Sequence, residues 1–235
     1  MPIEFNYAQG RAQARLGERL TPAAWQLLEA SGTLAQYLHA ARATALRGAV
    51  RSLAGTSSPH AIERALRSDW RAEVLGTTQW VPGRWRDAVA RTASLCDLPM
   101  LAWLDQGGEI LPWMRDDPRF ADGAGSLAGS DDMLAAWRQH FETLWPPGDR
   151  GTARLREFVD LVDEYRSQPL IAAAGRRASM EPRRRLDAHA VRLIRRSLRE
   201  PVTVFSHLLL VALDLGRLRN GLVRRALFGD WAKAA

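Results

Sequence analysis

Apolar residues recur along most of the chain at intervals of three and four, the period of a helix with one buried face. From Pro59 onward, Ile62, Leu66, Trp70 and Val74 draw such a stripe. Trp85, Val89 and Leu95 suggest a further helix, which Leu98, Leu101 and Leu104 continue after a break near Asp97. Met133, Leu134, Trp137, Phe141 and Leu144 predict another, and three more are expected at about 152–174, 182–199 and 202–228. Start and stop signals agree with this reading. Thr21-Pro22 and Ser58-Pro59 each place a capping hydroxyl before a proline at the first helical position. Ser130-Asp131 offers a cap for the helix from Met133, and Pro146-Pro147-Gly148 ends it. No stretch alternates apolar and polar residues long enough for a strand. Leucine occurs 32 times against 16 for valine and isoleucine together, which favours helix further. The expected fold class is all-α.

The pattern lapses between Gly107 and Ser130, where Gly107-Gly108, Asp116-Asp117-Pro118 and the run 123–129 read as a long loop. The expected organisation is therefore an N-terminal helical lobe at 1–112, a linker loop at 113–130 and a C-terminal helical lobe at 131–235. The lobes echo each other. Ile62-Glu63 opens a long helix that leads to Asp97-Leu98-Pro99-Met100-Leu101. Glu157-Phe158-Val159-Asp160 opens another, leading to Asp187-Ala188-His189-Ala190-Val191. In both, an acid-bearing helix and a turn precede an aspartate that starts an apolar helix.

Charge changes the picture. The chain has 235 residues with 33 basic and 26 acidic side chains, so 33 − 26 gives +7 and a pI near 10.7. Lys233 is the only lysine. A phosphate-cradling loop needs a lysine after glycine, and Lys233 follows Ala232, so that chemistry is excluded. A Schiff-base lysine is equally out of place there. The single cysteine, Cys96, permits no internal disulfide and fits a reducing compartment. The opening residues lack a positive stretch followed by an apolar core, so no signal peptide is expected. The most apolar stretch, Val202 to Leu215, holds Ser206, His207 and Asp214 and reads as a buried helix in a soluble protein.

Candidate chemistry is sparse. His39, His60, His140, His189 and His207 are scattered, without metal-ligand spacing. Glu157, Asp160 and Glu164 share one helical side and read as a solvated row. Asp116-Asp117 and Asp131-Asp132 read as caps and turns rather than a cation site. Ser126 lacks the nucleophile-elbow pattern, and Cys96 reads as buried. No catalytic, cofactor-binding or metal-binding residue is assigned, and no cofactor is expected. Nine tryptophans (Trp25, Trp70, Trp80, Trp85, Trp103, Trp113, Trp137, Trp145 and Trp231) fall mainly in register with the leucine stripes and read as core. Interface anchoring is the rival reading. Arginines cluster at 176–177, 183–185, 195–196 and 224–225, where phosphates of nucleic acid, lipid headgroups or an acidic protein partner are the ligands the charge would suit.

One resemblance adds to this. Tyr7-Ala8-Gln9-Gly10-Arg11-Ala12-Gln13-Ala14-Arg15-Leu16 resembles the first helix of the C, or d, subunit of V-type and archaeal-type rotary ATPases. Leu34 to Leu38 and Ile62-Glu63 are similar to the next helical segments of that family. Asp97 to Leu101 resembles its recurring aspartate-led helix. Phe158 to Tyr165 and Asp187 to Arg195 resemble the second occurrence. Ala212 to Asn220 is similar to the terminal helix, with Asp214 where glutamate is usual. Met100 and Ala190 stand where the family carries asparagine, and the chain is short for the family.

The resemblance implies a lobed helical funnel of repeated units, a noncatalytic central-stalk adapter. Its partners would be the rotating shaft and the proteolipid ring, at the cytoplasmic face of the membrane, with membrane contact through those partners. It implies support of proton or sodium transport and no small-molecule substrate. The alternative is a basic helical module binding nucleic acid or serving as a regulatory interaction protein, although no nucleic-acid-binding signature accompanies the arginines. An enzyme would need a cleft with several perturbed titratable groups.

Overall fold

The computed structural model describes residues 5–115, 117, 133–149, 151–167 and 176–229. Every regular element among them is helical, and the all-α expectation holds. The order begins with α1 (Asn6–Glu18), α2 (Pro22–Glu29), α3 (Leu34–Arg42), α4 (Arg47–Val50) and α5 (Pro59–Thr78). Short 3-10 turns flank α6 (Arg86–Arg91), at Gly83–Trp85 and Thr92–Cys96. Then come α7 (Leu98–Asp105), α8 (Pro112–Arg115), α9 (Met133–Thr143), α10 (Thr152–Ser167), α11 (Arg176–Arg196) and α12 (Val202–Phe228). No described helix is long and apolar enough to cross a membrane.

The start signals work as chemistry predicts. Thr21 Oγ1 accepts from the Ala24 amide at 3.2 Å and Ser58 Oγ from the Ala61 amide at 3.2 Å. Thr33 and Gln36 add a reciprocal capping box at α3. At the other end of α7, Gly107 takes φ +80° and the Gly108 amide reaches back to the Trp103 carbonyl at 2.8 Å. The 59–78 stripe is buried throughout: Ile62, Leu66, Trp70 and Val74 expose 6% or less. Three expectations need correction. The 113–130 stretch does not begin as a loop, because Trp113 and Met114 lie in α8 and bury against Met100, Leu101 and Leu104. Hydrophobic burial outweighs the flanking loop signals there. Pro182 does not start α11. That helix begins at Arg176, since a proline costs one backbone hydrogen bond without stopping a long helix. Asp187 consequently lies mid-helix rather than at a helix start. The Ser130-Asp131 cap and the rest of the linker fall outside the described residues.

By internal packing the chain sorts into two units, each discontinuous in sequence, whereas the lobes expected from the sequence are contiguous. The first comprises Met1–Arg19, Gly76–Val89 and Trp145–Gly216. Its core joins α1, α11 and the first half of α12 through Ala12, Leu186, Ala190, Ile194, Leu210 and Leu213. Trp85, fully buried, meets Phe5 and Phe205 edge-on at 6.2 and 6.3 Å and donates its indole N–H to Asp149 at 3.2 Å. The end of α11 is tied by side chains. Gln9 Nε2 donates to the Ile194 carbonyl at 2.7 Å, and the Thr203 hydroxyl lies 2.7 Å from the Ser197 carbonyl and 3.1 Å from Gln9 Oε1. Those carbonyls would otherwise be unsatisfied at a buried helix terminus.

The second unit comprises Leu20–Leu75, Ala90–Leu144 and Arg217–Ala235. Here α2 packs on α3, α3 on α4, and α9 on α7. Arg225, only 5% exposed, organises the α2–α3 turn. Its guanidinium donates to the carbonyls of Glu29, Ser31 and Gly221 at 2.7–2.9 Å and lies over the Tyr37 ring at 4.2 Å. Burial holds Arg225 below its ordinary pKa. Tyr37 is fully buried, and its hydroxyl has no hydrogen-bond partner among the described residues. Burial pushes that phenol up to about 12, against the pull of Arg225.

The tip of Tyr37 fills the space a side chain at residue 221 would need. A Cβ on Gly221 would sit 2.3 Å from the phenol oxygen. Gly221→Ala should therefore lower stability by about 1–3 kcal/mol. Tyr37→Phe, which removes an unpartnered buried oxygen, should leave stability unchanged or raise it by up to about 1 kcal/mol. Urea denaturation of the two variants checks both signs.

Candidate functional site

The densest set of charged side chains lies in the second unit. Helix α5 carries Glu63, Arg67 and Arg71 at spacings of four, which places them in one row. Asp97, which precedes α7, is almost sealed from solvent, its side chain 5% exposed. Its Oδ1 accepts from Arg67 at 3.0 Å and from Arg71 at 2.7 Å. Arg67 also donates to the Cys96 carbonyl at 2.6 Å and stacks over Trp113 at 4.2 Å. Arg71 reaches on to Asp117 at 2.9 Å, and Glu63 lies 3.6 Å from Arg67 and pairs with Arg219 of α12. Burial works against the charge on Arg71, but Asp97, Cys96 and Asp117 overcome it and raise its pKa. Arginine and carboxylate charges thus balance across α5, α7 and the segment at Asp117. Asp117 is engaged with a cation of the protein itself rather than offered to a metal ion.

Cys96 sits in the same place. Its thiol donates toward the Ala93 carbonyl and Asp97 Oδ1, each at 3.3 Å. Burial first, then Asp97, pushes the thiol up to about 12, although Arg67 and Arg71 pull the other way. At neutral pH it keeps its proton and is a poor nucleophile.

The first unit has a smaller equivalent. Arg19, just beyond α1, grips Asp214 of α12 with two parallel bonds, Nε to Oδ2 at 2.7 Å and Nη2 to Oδ1 at 2.9 Å. The same Nη2 reaches Asp187 of α11 at 2.7 Å. Burial opposes the guanidinium charge, and hydrogen bonds to Asp214 and Asp187 reverse that and raise its pKa. Asp97 and Asp187, the two aspartates of the sequence echo, therefore both take arginine. Their partners differ: α5 supplies Arg67 and Arg71 to Asp97, and the end of α1 supplies Arg19 to Asp187.

The remaining candidates disperse. Trp25, Trp70, Trp80, Trp85, Trp113, Trp137 and Trp145 are buried, so the core reading fits them, while Trp103 is 47% exposed and Trp231 lies outside the described residues. Trp137 stacks on Phe141 and donates to Ser94 at 2.9 Å. His207 is buried in α12 with its ring 5.0 Å from Trp80. Glu157 and Asp160 face solvent on α10, as a solvated row would. Among the described residues no three histidine, cysteine or acidic side chains are grouped to hold a metal. The arginine clusters split by face: Arg225 is buried and Arg224 exposed, and Arg183 donates to the Leu213 carbonyl while Arg184 and Arg185 are exposed. Sequence reasoning missed Arg19, Arg67 and Arg71 as tie points. The row of i, i+4 charges on α5 was the one signal for two of them, and Arg19 had none.

No protein-family model matches the chain, and no curated protein or solved structure matches it either.

The Asp97 cluster generates two measurements. Asp97→Ala leaves two partly buried guanidinium groups short of an acceptor and should cost about 3 kcal/mol in urea denaturation. The thiol sets an alkaline limit. An exposed cysteine loses its proton near 9.0 and the folded one near 12, so the unfolded state binds fewer protons in that window. Stability should hold below about pH 9 and fall above it. Cys96→Ala should flatten the decline between about pH 9 and 10, read as denaturation midpoints, and equal slopes in both proteins would contradict the assignment.

Proposed function

We propose that the chain is a noncatalytic adapter: a central-stalk subunit of a rotary V-type ATPase, seating the rotating shaft on the membrane proteolipid ring. On this reading it works at the cytoplasmic face of the membrane, as a lobed funnel of repeated helical units, and supports proton or sodium transport by shape and stiffness. The observation that carries the reading joins sequence and geometry. Three segments that resemble the family are Tyr7 to Leu16, Asp187 to Arg195 and Ala212 to Asn220. They belong to α1, α11 and α12, which share one core cluster. One guanidinium, Arg19, bonds the aspartates of the latter two segments. A body that passes torque between partners must resist relative movement of its helices. Bidentate arginine–carboxylate bonds supply such resistance with fixed geometry.

The experiment is purification of the tagged chain from gently solubilised native membranes. Proteolipid and shaft subunits should copurify in fixed proportion, and Arg19→Met should lower their yield. Recovery of the chain alone, or with a nucleic acid in place of those subunits, would overturn the proposal.

A further inference from the structure

Helix α11 turns one face to the core and the opposite face to solvent, and the solvent face is almost entirely arginine. Leu186, Ala190 and Ile194 are buried to within 2%. Arg184, Arg185, Arg192, Arg195 and Arg196 are exposed. At about 100° per residue these five fall within an arc of about 120°, centred opposite the buried stripe. They extend over about 18 Å of helix axis. Arg199 lies just beyond the end and is exposed too. Of the acids near in sequence whose side chains are described, Asp187 is occupied by Arg19 at 2.7 Å and Glu200 by Arg154 at 2.9 Å. Arg184, Arg195, Arg196 and Arg199 make no ion pair with any described residue, and Arg192 contacts only the His189 ring, at 3.4 Å. His189 registers the surplus: burial and then Arg192 hold it below its ordinary pKa.

Arg199 carries a second mark. Its φ is +64°, and it is the only described residue other than glycine in the left-handed region. That conformation disfavours a side chain, and glycine is the usual occupant where a helix ends this way. An arginine held there keeps a charge at a position where the backbone alone would select glycine.

We propose that the arginine face of α11 is a docking surface for an anionic lipid bilayer. Charge complementarity selects an anion, and three features select this one. The face is straight and its described charged side chains are all arginine, so a flat sheet of phosphate and carboxylate headgroups can meet several guanidinium groups together. Among the described side chains, α11 presents no phenylalanine, tyrosine or tryptophan for stacking bases and no amide for reading base edges. Leu198, 62% exposed between Arg196 and Arg199, offers an apolar side chain to the headgroup layer. Because the apolar stripe of α11 is committed to the core, the contact is electrostatic rather than insertion. It is expected to be reversible by salt. The inference rests on α11 and not on the adapter reading, which gives the chain membrane contact through partners only.

Vesicle flotation of the purified full chain tests it. The chain should float with phosphatidylcholine vesicles holding about 30% phosphatidylserine and not with phosphatidylcholine alone, and about 0.5 M NaCl should release it. The triple variant Arg184→Glu, Arg192→Glu, Arg195→Glu should retain its circular dichroism spectrum and lose more than about tenfold in binding. Arg199→Gly should bind about fivefold more weakly while melting no lower than the parent, since it relieves strain. Equal flotation with both vesicle types, undiminished binding by the folded triple variant, or tight binding of a duplex of about 30 base pairs with vesicles unbound would each overturn the proposal.

Discussion

A guanidinium group taken out of water must find acceptors in a fixed plane, and this requirement governs how the helices of each unit are joined. Arg19 bonds two aspartates on two helices. Arg67 and Arg71 converge on Asp97 from neighbouring turns of α5. Arg225 uses three backbone carbonyls and an aromatic face, with no carboxylate bonded to it among the described residues. In each case one planar cation fixes segments far apart in sequence. Apolar packing supplies the bulk of the driving force, but it tolerates sliding between helices in a way that a fork of parallel hydrogen bonds does not.

The same preference divides the arginines into two populations. Arg19, Arg67, Arg71 and Arg225 are matched by acids or carbonyls and serve the fold. Arg184, Arg195 and Arg196 on the outer face of α11, and Arg199 just beyond it, pair with no described acid, so the positive balance of the chain is in part a local surplus. Arg224 and Arg225 show how sharply helix geometry sorts neighbours, one exposed and the next buried.

Much of the helical layout was legible in the sequence because its causes are local. The Thr21-Pro22 and Ser58-Pro59 caps, the Ile62 to Val74 stripe, the break at Asp97 and the span of α12 all depend on neighbours within a few residues. What escaped depends on distant partners. Trp113 and Met114 sit among loop signals, and only packing against α7 turns them into a helix. Pro182 reads as a start, yet the turns before it continue the helix. Arg19 looks like any residue after a helix end, and nothing near it announces Asp187 or Asp214. The acid-led echo identified Asp97 and Asp187 as notable residues, but neither spacing nor composition could pair them with their arginines.

The central claim is that the arginine ties hold helices together rather than decorate them. A double-mutant cycle on Arg19→Met and Asp214→Asn, read by urea denaturation, isolates that contribution. A coupling of about 1.5–3 kcal/mol is predicted for a partly buried bidentate pair. A value below about 0.5 kcal/mol, the level of an exposed surface pair, would contradict it.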